Sequence, residues 1–270
     1  MDLQIKGKTA VITGADSGMG LATARILASE GVKVILTDLY EDQLQESAEE
    51  VKKAGNSEDI ITITADLTDR QQVQQLADKV KNEHGGADIL VNCAGARGAA
   101  GDFLELSDED WYNTIDIDLM GVVRTCRAFI PQMLDKGWGR VVVVSSENAL
   151  QPYEEESPYN ACKAGLINLS KCLSRAYSKD GLLINAVSPA YVETPMTNKM
   201  MEEKAEERGE SVEETVNWFL DNKRPHIAVD RRGQPEEVAS VIAFLCSERA
   251  SYVNGSNYRV DGGSVETAFG

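Results

Sequence analysis

The sequence predicts a single α/β domain built on a doubly wound parallel sheet of about seven strands, and three observations lead there. Apolar runs of strand length recur along the chain, they are nearly continuous rather than alternating, and stretches of helical periodicity separate them. A strand that is apolar on both sides must be covered front and back, which is the condition of a parallel strand with helices on either face. A chain of 270 residues, 42% hydrophobic and 26% charged, suits one such domain spanning 1–270.

Taken in order, the strand-length runs are Thr9–Ile12, Val32–Leu36, Ile60–Thr64, Ile89–Val91, Val141–Val144 and Leu183–Val187. The run Leu21–Ser29 reads as the first helix. Ser107 before Asp108, Glu109 and Asp110 marks a helix start, as does Gln234 before Pro235, Glu236 and Glu237. Ser157 before Pro158 reads as an N-cap with proline in the first helical position. The segment 196–224, rich in Met, Glu and Lys, interrupts the α/β rhythm and is expected to be an insertion over a site. No internal repeat or low-complexity tract is present.

Composition excludes several classes. A formal net charge of -17 opposes nucleic acid and anionic membranes, which are bound largely through basic side chains. It also weighs, less strongly, against delivery of substrate by an acidic carrier protein. The five scattered cysteines form no CxxC pair, so neither a disulfide framework nor a zinc site is expected, and two histidines make no metal cluster. With neither a membrane-length apolar run nor a signal-peptide start, a cytoplasmic protein is expected.

Two motifs carry chemistry. Thr13-Gly14-Ala15-Asp16-Ser17-Gly18-Met19-Gly20 follows the first strand and opens the first helix. Glycines there allow a tight turn and a close approach of backbone N–H groups to a pyrophosphate, favoured further by the positive end of the helix. Farther on, Tyr159-Asn160-Ala161-Cys162-Lys163 places a phenol and an ammonium on one helix face, one turn apart. A neighbouring cation stabilises phenolate and makes tyrosine a workable acid or base nearer neutrality. Alone, the YxxxK spacing is common and equally describes a solvated lysine beside a half-buried tyrosine.

The sequence TGADSGMG, spaced GxxxGxG, resembles the short-chain dehydrogenase/reductase family, and the resemblance extends over almost the whole chain. It implies a Rossmann-like fold and a cofactor wrapped by Gly14, Ser17, Gly18, Met19 and Gly20. Asp38, 18 residues beyond Gly20 at the end of the second strand, would accept hydrogen bonds from the adenosine ribose and repel a 2'-phosphate, selecting NAD. Neither Ser17 nor Leu39 supplies the basic residue that similar NADP enzymes carry. Asp66-Leu67 resembles the adenine-contacting pair, and Asn92-Cys93-Ala94-Gly95 resembles the NNAG motif with Cys93 for the second Asn. Pro189, Val192 and Thr194 fall in the segment that closes over nicotinamide.

The same resemblance implies the catalysts. Ser146, 13 residues before Tyr159, would hold the substrate oxygen, Tyr159 would give or take its proton, and Lys163 would tune Tyr159 and hold the nicotinamide ribose. Ser145 would pack beneath the sheet end. Two positions depart from the pattern: Asp118 stands where the family carries a fourth catalytic residue, Asn, and Ala190 stands for a glycine. Asp118 would either serve as the Asn does or pair with Lys163 and shift the active pH.

The implied function is NAD-dependent hydride transfer between nicotinamide and a secondary alcohol or ketone. A 3-oxoacyl thioester reductase and a non-catalytic dinucleotide-binding regulator remain as alternatives. A homotetramer is also implied. On the substrate side, Arg97, Glu147, Asn148, Gln151 and Tyr153 are candidates to face the pocket, Arg97 equally an ordinary surface ion pair. Met196, Met200, Met201, Trp218, Phe219 and Leu220 would either line an apolar site or anchor the 196–224 lid to the body.

Overall fold

The computed structural model describes residues 1–55 and 57–268. Seven strands, β1 (Thr9–Thr13), β2 (Lys33–Thr37), β3 (Ile60–Thr62), β4 (Ile89–Asn92), β5 (Gly139–Val144), β6 (Leu182–Pro189) and β7 (Asn257–Val260), form one sheet in the order β3-β2-β1-β4-β5-β6-β7. Every neighbouring pair is parallel. The order reverses between β1 and β4, which opens a crevice at the carboxyl ends of those strands.

The continuous apolar runs divide by the two-residue period of a strand. Ala10 and Ile12 of β1, Val34 and Leu36 of β2, and Val142 and Val144 of β5 face one core, and Val11, Ile35, Val141 and Val143 face the other. The first core is closed by helices α1 (Gly18–Ser29), α2 (Glu41–Gly55) and α9 (Pro235–Leu245), through residues such as Leu27, Leu44 and Ile242. The second is closed by α3 (Arg70–His84), α5 (Gly121–Lys136) and α6 (Ser157–Tyr177), through Leu76, Phe129 and Leu166. No described helix is long and apolar enough to cross a membrane.

Strand β3 ends at Thr62, two residues short of the expected Thr64, although Ile63 and Ala65 still donate to the Leu36 and Asp38 carbonyls across the gap. Helix α4 (Asp108–Ile115) starts as expected, with Ser107 and Asp110 closing a reciprocal capping box. The expected cap at Ser157 requires correction. Its φ of -56° and ψ of -41° are helical, because a 3-10 turn over Glu154–Glu156 runs directly into α6 and moves the cap position to Glu156.

Between α4 and α5 the chain makes a π-helical turn, Asp116–Met120, so that 108–136 is one helical rod with a local widening. Arg124 holds that turn by donating to the Asp116 carbonyl and carboxylate and to the Leu67 carbonyl. The 196–224 segment forms two helices, α7 (Pro195–Arg208) and α8 (Val212–Lys223). Buried Met201, Phe219 and Leu220 of this pair join Tyr191 and Ile227 in a third apolar cluster, with Met200 and Trp218 packed on it.

Candidate active site

At the end of β1, Gly14 has φ +65°, and a Cβ placed on it would stand 2.7 Å from the Ala94 backbone nitrogen. Only glycine fits both the left-handed backbone and that approach. The chain then turns and α1 begins at Gly18, three residues before the expected helix start. Ser17 occupies the cap position in extended conformation, but its hydroxyl donates to the Asp16 carboxylate at 2.8 Å and makes no capping bond. The first turn of α1 also carries no acidic residue. Its leading N–H groups are therefore available to an anion at the positive end of the helix dipole.

That helix end opens into a cleft of about 680 Å³ running from Asp38 to Tyr159 and Lys163, a volume in the range of small-molecule sites. Gly14, Ser17, Gly18, Met19, Gly20, Asp38, Leu39, Asp66, Leu67, Ala94, Gly95, Pro189, Val192 and Thr194 all line it. Asn92 does not. It is buried beneath the cleft, where its Oδ1 accepts from Thr125 Oγ1 at 2.7 Å and its amide faces Cys126, so it ties β4 to α5.

Asp38 lies at the outer end of the cleft, with its Oδ1 accepting from the Leu39 N–H at 2.8 Å. Its pKa is raised, chiefly by removal from water and also by the charge of Asp16, against the lowering effect of the Leu39 and Asp16 N–H groups. Asp16 also lines the cleft. It was not anticipated, because its place inside a glycine turn gives no sign that the turn sets it beside a strand end 22 residues later.

The chemical end is assembled by β5 and α6. Ser145 donates to the Lys163 carbonyl at 2.7 Å, which seats α6 against the end of β5. Ser146 is buried and exchanges hydrogen bonds with Asn148, donating to its Oδ1 at 3.1 Å and accepting from its N–H at 3.2 Å. Tyr159 is half-buried on the cleft wall with the Lys163 ammonium 5.2 Å from its ring centre. The Tyr159 pKa is raised: desolvation pushes it up, Lys163 pulls it down, Asp118 pushes it up again, and a hydrogen bond with Ser146 lowers it.

Behind Lys163, Asp118 is fully buried with its Oδ1 3.3 Å from Nζ, and the same oxygen accepts from the Ala96 N–H at 3.2 Å. Of the two outcomes expected for this substitution, the structure forms the ion pair. Burial raises the Asp118 pKa while Lys163 opposes the rise. For Lys163, burial alone would lower the pKa, but Tyr159 and Asp118 together raise it and keep the ammonium charged.

The substrate-side candidates separate. Met196 lines the cleft and is half exposed. Glu147 is buried and turned away from the cleft, accepting from Ser264 and pairing with Arg224 of the segment after α8 at 3.5 Å. Asn148 bonds Glu156 and Asn160 as well as Ser146, and Tyr153 lies under the Arg224 guanidinium, 3.4 Å from its ring centre. Trp218 is covered by Arg208. Arg97 is exposed and makes no ion pair among the described residues. The five cysteines are unpaired thiols, three of them buried, and the described residues hold no metal-binding group of His, Cys, Asp or Glu.

A parallel sheet with an anion-ready helix end on one side of its crevice and a Ser, Tyr and Lys group on the other defines a dinucleotide-dependent oxidoreductase. Residues 14–265 match a family model described as enoyl-(acyl carrier protein) reductase, and the chain belongs to the short-chain dehydrogenase/reductase family. Among solved structures, L-sorbose reductase from Gluconobacter frateurii, complexed with NADPH and L-sorbose, is 36% identical, with 99% of this chain and 100% of that one covered and a TM-score of 0.93. Levodione reductase is 29% identical with a TM-score of 0.91 over 98% of this chain and all of the other. The 3-oxoacyl-[acyl-carrier-protein] reductase FabG of Thermotoga maritima is 35% identical over 264 residues, covering 97% of this chain and the whole relative.

Proposed function

We propose that the protein is an NAD(H)-dependent oxidoreductase of secondary alcohols and ketones. The observation that carries the reading is the meeting of Ser146, Tyr159 and Lys163 at the inner end of a cleft whose outer end holds the glycine turn and two carboxylates. Gly14, Ser17 and the start of α1 hold the dinucleotide pyrophosphate, Asp38 its adenosine ribose, and Lys163 its nicotinamide ribose. Bound there, the dinucleotide supplies or removes the hydride at carbon. Ser146 orients the substrate oxygen by hydrogen bonding, and the Tyr159 hydroxyl donates a proton to it in reduction or receives one in oxidation. The Val192 backbone and the Thr194 hydroxyl would contact the nicotinamide carboxamide.

NAD is favoured over NADP because Asp38 and Asp16 place two carboxylates where a 2'-phosphate would lie, with no basic residue at Ser17 or Leu39. The sorbose reductase is complexed with NADPH, so the two cofactors are to be compared directly on this protein. FabG keeps a 3-oxoacyl thioester reductase as the second reading, although the net charge of -17 disfavours an acidic carrier protein.

The 196–224 helix pair is read as the substrate lid, with Met196 as its contact on the cleft. The exposed Phe103 and Leu104 before α4 and Tyr112 on it support self-association, read as a homotetramer. The unpaired thiols support a cytoplasmic location.

The test is a panel of ketoses, cyclic ketones and acetoacetyl thioesters followed by NADH absorbance, with wild type and Tyr159→Phe compared. Turnover that falls at least a hundredfold in the variant, with NADH binding retained, supports the reading. NADH binding without turnover of any of these substrates by wild type instead favours a dinucleotide-binding regulator.

A further inference from the structure

The buried carboxylate behind the active-site lysine bears on the direction in which the enzyme works. Asp118 sits in the π-helical turn, at 0% exposure, against a lysine that is itself buried. Space is tight: a Cβ on Gly95 would stand 2.8 Å from Asp118 Oδ1 and 3.2 Å from Lys163 Nζ. Arg124, bonded to Asp116 and Leu67, prevents the turn from relaxing away. Among the described residues the second carboxylate oxygen of Asp118 has no hydrogen-bond partner, and Lys163 and the Ala96 N–H are the direct compensation for its charge.

A lysine promotes phenolate formation in a neighbouring tyrosine only to the extent that its own charge is felt there. Asp118 supplies an opposite charge 3.3 Å from that ammonium, so the Asp118–Lys163 unit presents a dipole to Tyr159 where a lone lysine would present a full positive charge. The other groups near the phenol do not restore the missing positive charge. Ser146 offers only an uncharged hydrogen bond, Glu156 adds negative charge from the turn before α6, and the Cys93 and Cys162 thiols beside Lys163 are held protonated, Cys93 at about 12 and Cys162 at about 11.

We propose that Asp118 is a positioning residue which, by neutralising Lys163, keeps Tyr159 in its proton-donating form through the neutral range and so suits the enzyme to carbonyl reduction. In that direction the phenol passes its proton to the carbonyl oxygen as hydride arrives at carbon, and solvent reprotonates the phenolate. Alcohol oxidation needs the phenolate beforehand and is delayed to alkaline pH. The inference rests on the proposed acid–base role of Tyr159, but its main test does not require turnover.

The measurement is the tyrosinate absorbance of the cofactor-free protein as a function of pH, with Tyr159 isolated by subtracting the Tyr159→Phe titration. In wild type the Tyr159 midpoint is expected above the free phenol value of about 10. In Asp118→Asn, which keeps shape and the Ala96 bond, it is expected to fall by about one pH unit, a tenfold change in acid dissociation. Asp118→Ala should fall likewise, and the pH inflection of alcohol oxidation should follow both.

A wild-type midpoint below 9, or one unmoved in either folded variant, overturns the proposal. A midpoint that shifts in a wild-type protein with no turnover sinks the enzymatic reading and leaves the electrostatic one standing. Turnover without the shift does the reverse.

Discussion

Arg224 is the residue whose removal should most clearly expose how the α7–α8 pair is held. It lies at the C-cap of α8, 3.5 Å from the buried Glu147 carboxylate and 3.3 Å from Glu156, with its guanidinium stacked on Tyr153. In Arg224→Ala the Glu147 carboxylate, 3% exposed, loses its main countercharge. An uncompensated buried charge costs about 3–5 kcal/mol. Glu147 has an escape, since it can take up a proton.

At pH 7 that uptake costs about 3.7 kcal/mol relative to an ordinary glutamate near 4.3, which caps the loss at about 3–4 kcal/mol. The stacking on Tyr153 adds about 0.5–1 kcal/mol. For a domain of this size the sum corresponds to roughly a 7–20 °C lower Tm.

The sign of the pH dependence follows from the Glu147 pKa, which burial already raises and which Arg224 holds down. Removing Arg224 raises it further, so the added penalty is absent below the wild-type folded value and grows as pH rises from there toward the new folded value. Calorimetry at pH 5 and pH 8 should show a Tm loss at pH 5 of about a third of that at pH 8. Equal losses at the two pH values, or a loss below 2 °C at pH 8, would refute the reasoning.

Other expectations follow from the same geometry. Gly14→Ala forces a side chain into a φ of +65° and against Ala94, so dinucleotide binding measured by calorimetric titration should weaken at least tenfold. Asp38→Ala should weaken NAD and relieve exclusion of NADP, narrowing the ratio of their kcat/KM values by roughly a hundredfold; an unchanged ratio would remove Asp38 from the ribose site. Because the Asp38 pKa is raised, wild type should lose discrimination as pH falls through the acid range, and a competition assay between the two cofactors reads this directly.

The sheet was legible because burial on both faces leaves a mark on every strand: the runs TAVIT, KVILT and GRVVVV have no polar alternation for a solvent face to claim. The glycine turn was legible for a local reason, since its backbone conformation depends on residues eight or fewer apart. The residues that went unseen, or took a different place, owe their roles to contacts distant in sequence. Asn92 belongs to a conspicuous motif yet serves α5 through Thr125, 33 residues away. Glu147 and Tyr153 follow Ser146 closely, but Arg224 recruits both to hold the chain after α8. Asp16 acquires its meaning only beside Asp38.

Asp118 was visible as a departure, but the departure alone left two outcomes open. The choice was made by the π-helical turn, which adds a residue to the rod between α4 and α5 and brings a carboxylate under the lysine. No hydrophobic periodicity signals such a turn in a rod that is otherwise ordinary helix. The consequence is chemical: the same Ser, Tyr and Lys, read alone, describe an acid–base group that operates in either direction, and on our proposal the buried carboxylate behind them biases it toward donating a proton.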